Sequence, residues 1–398
     1  MTTPTPRYPA LPTVRPLLDP APEYAEWREG EPIRRVTVWG ENSPWLITRH
    51  EDARAVLADP RLSADATLPG FPGLRPQAQA HAPGKFSMMD PPDHTRVRRM
   101  LIPDFTFRRI ERLRPAIQRI CENLLDAMTA DGATEADLVE AYALPLPTLV
   151  ICELLGVPYE DHDFFLRQSR TMTSLVGDPD EAMAARKALH GYLGELVAAR
   201  IREPADDLIS RLARDRVATG EATAAEAVGM ASLLLVGGHE TTANMFPLAV
   251  VALLRHPEQL AALRTDASLW PGVVEELLRY LSVAHSGMRR IATEDVEVGG
   301  VRIRAGEGVV VALQAANRDP DVYTAPDTLD IRRDASGHVA FGHGPHQCIG
   351  QSLARAELHL GLSTLVHRLP TLRLTVPLDD LPVSTSAVHG VPTLPVTW

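Results

Sequence analysis

The run Phe341-Gly342-His343-Gly344-Pro345-His346-Gln347-Cys348-Ile349-Gly350 governs how the rest of this 398-residue chain is read. Alternate glycines at 342 and 344 permit backbone conformations that a side chain would forbid, so the segment can close as a tight loop. An uninterrupted helical pattern, Gln351 to Arg368, starts directly after it. Cys348 therefore sits at a helix mouth, where free N–H groups and the macrodipole favour a thiolate. Gly350 leaves space for a flat partner to approach the sulfur. The plain alternative is a glycine-rich turn beside a buried structural cysteine.

A cysteine presented this way suits ligation of haem iron. The pattern Phe-Gly-x-Gly-x-His-x-Cys-x-Gly resembles the haem-binding signature of the cytochrome P450 superfamily, with six fixed positions in the ten residues. The resemblance implies haem b (iron protoporphyrin IX), with Cys348 as the metal ligand and Phe341, Gly342, His346 and Gly350 around it. It further implies a mainly α fold with smaller β-sheets, a triangular prism crossed by a long central helix, in one domain over residues 1–398.

A candidate for that helix begins at Thr223-Ala-Ala-Glu226, a capping box. Its pattern can run 32 residues to Arg255, roughly 48 Å at about 1.5 Å per residue. The centre, Met230 to Gly238, is apolar on every side and should cross the core. Gly237-Gly238-His239-Glu240-Thr241-Thr242 then breaks the composition of a buried helix, which usually marks function. By resemblance it is the oxygen-activation segment: Gly238 leaves room over the haem, Thr241 donates a hydrogen bond and Glu240 relays protons. A zinc-protease reading of His239-Glu240 fails, because residue 243 is Ala and not His.

Two further motifs keep the family's order. In His94-Thr-Arg96-Val-Arg98, His94 and Arg98 stand at i, i+4 and could clamp a carboxylate; the resemblance makes them propionate ligands, with Arg290 a second such position. Glu276-Leu-Leu-Arg279 is an unremarkable i, i+3 pair alone, but it matches the family's buried ion pair. The family's third member, an Arg in the stretch matching Pro326-Asp-Thr328-Leu329, is missing: either Arg332 or a backbone group substitutes, or the network has two side chains.

Around these motifs, Ile33–Val38 and Trp45–Thr48 read as a hairpin, and His50–Leu57 as a helix. Residues 63–86, with four prolines and three glycines, suit a lid over the pocket, bearing Phe71, Phe86 and Met88. Segments 110–130, 143–156, 160–176 and 181–202 have helical spacing; by resemblance, Ser169, Arg170, Thr173 and Leu175 lie in the roof. Val283–Met288 should run as a strand past the haem edge, with His285 and Ser286 as polar points. Val388-His389 should enter the pocket as a turn. Strands are also expected at 296–298, 301–303, 309–312, 372–376 and 394–398.

Composition excludes several classes. A net charge of −11, without basic repeats, argues against nucleic-acid binding. No apolar run is long enough to span a membrane, and the N-terminus lacks a signal peptide, so a cytoplasmic protein is expected. Cysteines 121, 152 and 348 are too few for a disulfide framework. Residues 96–119 hold eight arginines against Asp104 and Glu111, a local charge of +6 suited to steering an acidic partner.

The implied reaction is monooxygenation of a medium-sized hydrophobic molecule such as a macrolide, terpenoid or xenobiotic. No flavin or nicotinamide motif is present, so electrons from NAD(P)H should arrive through a ferredoxin reductase and a ferredoxin. A monomer is expected. Other readings stay open: a non-catalytic haem sensor or carrier, a zinc protein using His343, His346 and Cys348, or an enzyme doing epoxidation, oxidative coupling or peroxide-driven oxidation.

Overall fold

The protein is described from a computed structural model covering residues 6–8, 16–38, 42–73, 82–173, 178–384 and 388–398. Its longest element is the central helix Ala224–Leu254, 31 residues. The capping box forms in both directions: Glu226 N donates to Thr223 Oγ1 at 3.1 Å, and Thr223 N donates to Glu226 Oε2 at 2.8 Å. Its middle and C-terminal half are enclosed, with Met230, Leu235, Phe246, Leu248 and Val251 nearly inaccessible. Each such side chain contributes about 1.5–3 kcal/mol of burial.

Helices Pro145–Leu155, Pro179–Arg202, Trp270–Leu281 and Gln351–Arg368 pack on this core helix, and Gln351–Arg368 also packs along Phe107–Met128. Together they enclose the largest apolar cluster. Gly229 shows how tightly the polar loop before the clamp is seated. A Cβ there would meet Pro83 O at 1.8 Å, so residues 82–88 lie directly against the central helix.

A five-stranded sheet lies to one side, in the order Ile33–Arg35, Trp45–Ile47, Gly308–Val311, Met288–Ala292, Leu62–Ser63. The first hairpin forms as the sequence suggests, with Ile33 opposite Ile47. The period of two along Gly308–Val311 separates two cores: Val309 and Val311 join one apolar cluster, while Val310 joins another with Tyr8 and Leu46. A three-stranded sheet combines Glu135–Asp137, Pro395–Thr397 and Arg373–Leu374, and Val296–Val298 pairs with Val301–Ile303.

One boundary differs from expectation. Residues 283–287 turn instead of extending, because Gly287 has φ +73° and its N–H returns to Ala284 O at 3.2 Å. The strand begins only at Met288. Among the described residues, no helix is long and apolar enough to cross a membrane.

Candidate active site

The cysteine loop is built from backbone bonds. Cys348 N donates to Phe341 O at 2.9 Å, Gln347 N to Gly344 O at 3.0 Å, and Gly342 N to Val339 O at 2.8 Å. Gly344 has φ +71°, and a Cβ there would lie 2.6 Å from Leu57 O, so the loop is pressed against helix His50–Ala58. The Arg355 guanidinium covers the Phe341 ring at 4.7 Å. The Cys348 sulfur is accessible, but what it is open to is a cavity deep in the protein. Burial pushes its thiol up, against the Gly350 N–H, Arg98 and Arg355, which favour the thiolate. The helix mouth alone therefore does not secure the thiolate; a coordinated cation would.

That cavity, about 440 Å³, joins the cysteine loop to the central helix. Gly237, Gly238, Thr241, Thr242 and Met245 line it from the helix, and Phe341, His346, Cys348 and Gly350 from the loop. A Cβ on Gly237 would meet nothing within 4 Å, so this turn presents open space to the cavity. Thr241 Oγ1 donates to Gly237 O at 2.9 Å. Glu240 is half-buried and stands outside the cavity wall.

Whether this cavity suits haem can be judged from its cationic rim. Arg98 and Arg290 line it, and the buried His94 ring lies 4.0 Å from that of His346. Both His94 nitrogens, His346 Nδ1 and one Arg290 terminal nitrogen are buried without a hydrogen-bond partner. Burial and the neighbouring Arg290, His94 and Arg98 bring His346 down to about 3. Burial also brings Arg290 down to about 10, with Asp90 opposing, and lowers Arg98 and His94. The acid near these four groups, Asp90, is engaged by Ser63 Oγ and Ala64 N, so the cluster is arranged to meet a further dianion, and two propionates supply one. The residues present fit haem. A zinc site of His343, His346 and Cys348 does not form; among the described residues, no group of three or more His, Cys, Asp or Glu is placed to hold a metal ion.

The model of the family described as "Cytochrome P450" matches residues 180–388. The chain is 50% identical to "Cytochrome P450-SU2" of Streptomyces griseolus, covering 100% of this chain and 97% of that one. The chain belongs to the cytochrome P450 family. It is also 45% identical to "20-oxo-5-O-mycaminosyltylactone 23-monooxygenase" of Streptomyces fradiae, over 95% of this chain and 90% of that one. The crystal structure of GfsF superposes with a TM-score of 0.94 at 46% identity, covering 99% of this chain and 100% of that one. The P450 fold is thus shown, and with it a haem-binding monooxygenase.

The Glu-Arg pair of this P450 is wholly buried. Arg279 Nε donates to Glu276 Oε2 at 2.7 Å, and its second terminal nitrogen to Oε1 at 2.9 Å. The missing third member is Arg333, whose Nε reaches Glu276 Oε1 at 3.2 Å and whose other nitrogens bond the carbonyls of residues 324, 325 and 328. Arg332, the sequence candidate, instead donates its N–H to Asp330. Arg279 also bonds the carbonyls of Asn317 and Pro326, at 2.8 and 2.9 Å.

The pocket candidates divide. Phe71, Phe86, Met88 and Val283 line the cavity of the P450, whereas His285, Ser286, Val388 and His389 do not. His389 turns inward: its Nε2 pairs with Leu17 O at 2.7 Å, and its ring lies 5.9 Å from the His285 ring. Leu175 lies outside the described residues, as do the side chains of Ser169, Arg170 and Thr173. Sequence reading missed Glu357, a cavity-lining carboxyl on the cysteine helix that burial pushes well up. Its signal was available, since Leu353, Glu357 and Gly361 repeat every four residues on the buried face.

Proposed function

We propose that this P450 inserts one oxygen atom from O2 into a medium-sized hydrophobic molecule, within a single domain spanning residues 1–398. The observation carrying this reading is that Cys348, Thr241 and an apolar wall share one cavity. Bound haem would supply dioxygen activation, a chemistry that a cysteine thiolate ligand favours. Cys348 would hold the iron; His94, Arg98 and Arg290 would hold the propionates; Phe341, Gly342, His346 and Gly350 would shape the loop around the ring. Gly237, together with its neighbour Gly238, keeps the helix clear, Thr241 positions a proton at the oxygen side, and Glu240 feeds it. Phe86, Met88 and Val283 exclude water and orient the substrate. The relative acting on 20-oxo-5-O-mycaminosyltylactone supports a bulky oxygenated substrate.

Electrons reach the site from NAD(P)H through a ferredoxin reductase and an acidic ferredoxin, with the enzyme acting as a cytoplasmic monomer. Arg99, Arg108, Arg112 and Arg119 are exposed and make no ion pair among the described residues, which leaves them available for such a partner. Their segment borders the cysteine loop, since Arg98 donates to Gln347 O at 2.5 Å. Phe107, 74% exposed, stands among them as an apolar contact. The test is the reduced carbon monoxide complex. Cys348→Ala should lose its red-shifted Soret band, while Cys121→Ala and Cys152→Ala, whose thiols burial pushes up to about 12, should keep it. Retention of that band in Cys348→Ala would overturn the reading.

A further inference from the structure

Among the described arginines of the cavity wall, Arg289 is the one that the haem reading does not use. It lines the same cavity as Arg98 and Arg290, but strand register sets it on the opposite face from Arg290: Arg290 pairs with Val309 and Arg289 with Val310. The guanidinium then folds back along its own chain. One terminal nitrogen donates to Ser286 O at 2.7 Å, on a segment whose Val283, Ala284 and Gly287 line the cavity. Its Nε is buried without a hydrogen-bond partner, and among the described residues no carboxylate forms an ion pair with it. Protein encloses this side chain on most sides, and burial pulls its pKa down, with Tyr8 opposing. Among the described residues the acidic member of the cavity wall is Glu357, whose carboxyl burial pushes well above the usual range. An enclosed guanidinium is costly unless an anion or strong acceptor meets it. Much of the remaining cavity lining, including Phe71, Phe86 and Leu234, is apolar.

We propose that Arg289 is a specificity-determining residue, which fixes the carboxylate of an amphipathic substrate whose apolar body lies along that wall. This rests on the cavity being the substrate site of the monooxygenase. Charge-assisted hydrogen bonds to a guanidinium discriminate an acid from its ester by roughly ten- to hundredfold.

The test uses purified holoenzyme and a series of ω-imidazolyl alkanoic acids of increasing length, each beside its methyl ester. The imidazole ligates the iron, so every probe is read by the red shift of the Soret band, and the tail alone samples Arg289. In the parent, the acid should bind at least about tenfold tighter than its ester at the length that reaches Arg289. Arg289→Gln should abolish that preference by weakening the acid, and Arg289→Lys should restore part of it. Equal binding of acid and ester at every length in the parent overturns the proposal, as does a preference that survives in Arg289→Gln. Loss of haem from Arg289→Gln also overturns it, because the residue would then serve a propionate. Absence of any red shift in the parent would instead strike the open-site haem reading itself.

Discussion

Removing Glu276 should be among the most costly single changes in this P450. Its side chain and that of Arg279 are both 0% accessible. Oε1 accepts from Arg279, Arg333 Nε and Asp330 N, and Oε2 from Arg279 Nε. Glu276→Ala therefore strands a buried guanidinium and one part-buried backbone N–H. Breaking a buried pair typically costs about 3–5 kcal/mol, against a total stability of about 5–15 kcal/mol. Arg333 is partly exposed, at 12%, and three carbonyls already hold it, so Arg333→Ala should cost nearer 1 kcal/mol. The double variant Glu276→Leu/Arg279→Met removes both charges together, so it should be less destabilised than the sum of the two single changes. Guanidinium denaturation of the holoprotein, followed by the Soret band and by tryptophan emission, reads each midpoint at constant slope. A Glu276→Ala loss below about 1 kcal/mol, or strict additivity in the double variant, would refute the reasoning.

The remaining expectations concern the partner, the proton and the acid limit. Reduction by ferredoxin should slow as salt rises, the Debye length shrinking from about 10 Å at 0.1 M to about 3 Å at 1 M. Arg112→Ala should lower the rate more than Arg109→Ala, because Arg109 is already engaged by Asp206; a rate indifferent to salt and to Arg112 would remove the docking role. Thr241→Ala should still consume NAD(P)H while releasing hydrogen peroxide in place of product, an effect of about 10²–10⁴-fold on the assisted step. Full coupling there with uncoupling in Thr242→Ala would move the role to Thr242, which lines the same cavity. Burial alone would raise Glu275, but hydrogen bonds from His338 and Arg355 bring it down to about 2. The stability it contributes is present above its unfolded value near 4.5 and is lost as pH falls toward 2. Glu275→Gln should therefore lose stability less steeply than the parent below about pH 4.5; equal slopes in acid denaturation would refute this.

Features fixed by neighbours along the chain were legible in the sequence. The cysteine loop, the capping box at Thr223, the i, i+3 pair at Glu276 and the first hairpin each depend on residues within about a dozen positions. What escaped depends on distant contacts. Arg333 reaches Glu276 from 57 residues away, and no spacing rule distinguishes it from Arg332. His285 and His389 read as polar points of a pocket, yet His389 is claimed by Leu17, 372 residues distant. The turn at Gly287 shows a third kind of miss. A β-rich run was interrupted by one glycine free to adopt positive φ, and composition does not say whether it will.

Two carboxyls show what decides membership of the site. Glu240 belongs to the oxygen-segment motif, whereas Glu357 carries no motif at all. Along the central helix the cavity is lined by residues 237, 238, 241, 242 and 245, a three- and four-residue alternation that selects one face. Glu240 falls about 100° out of phase with Thr241 and stands outside the wall. Along the cysteine helix the lining residues are 353, 354, 357 and 358, which is the same alternation, and Glu357 is in phase. Its apolar surroundings push its carboxyl well above the usual carboxylate range, which favours the protonated form that donates a hydrogen bond. Glu240, half-buried, keeps contact with solvent and can reload. A proton it passes must then reach the cavity by way of Thr241 or Thr242, the hydroxyls on the lining face nearest to it. That is why the threonine substitutions, read by coupling, test the relay more sharply than replacing either acid.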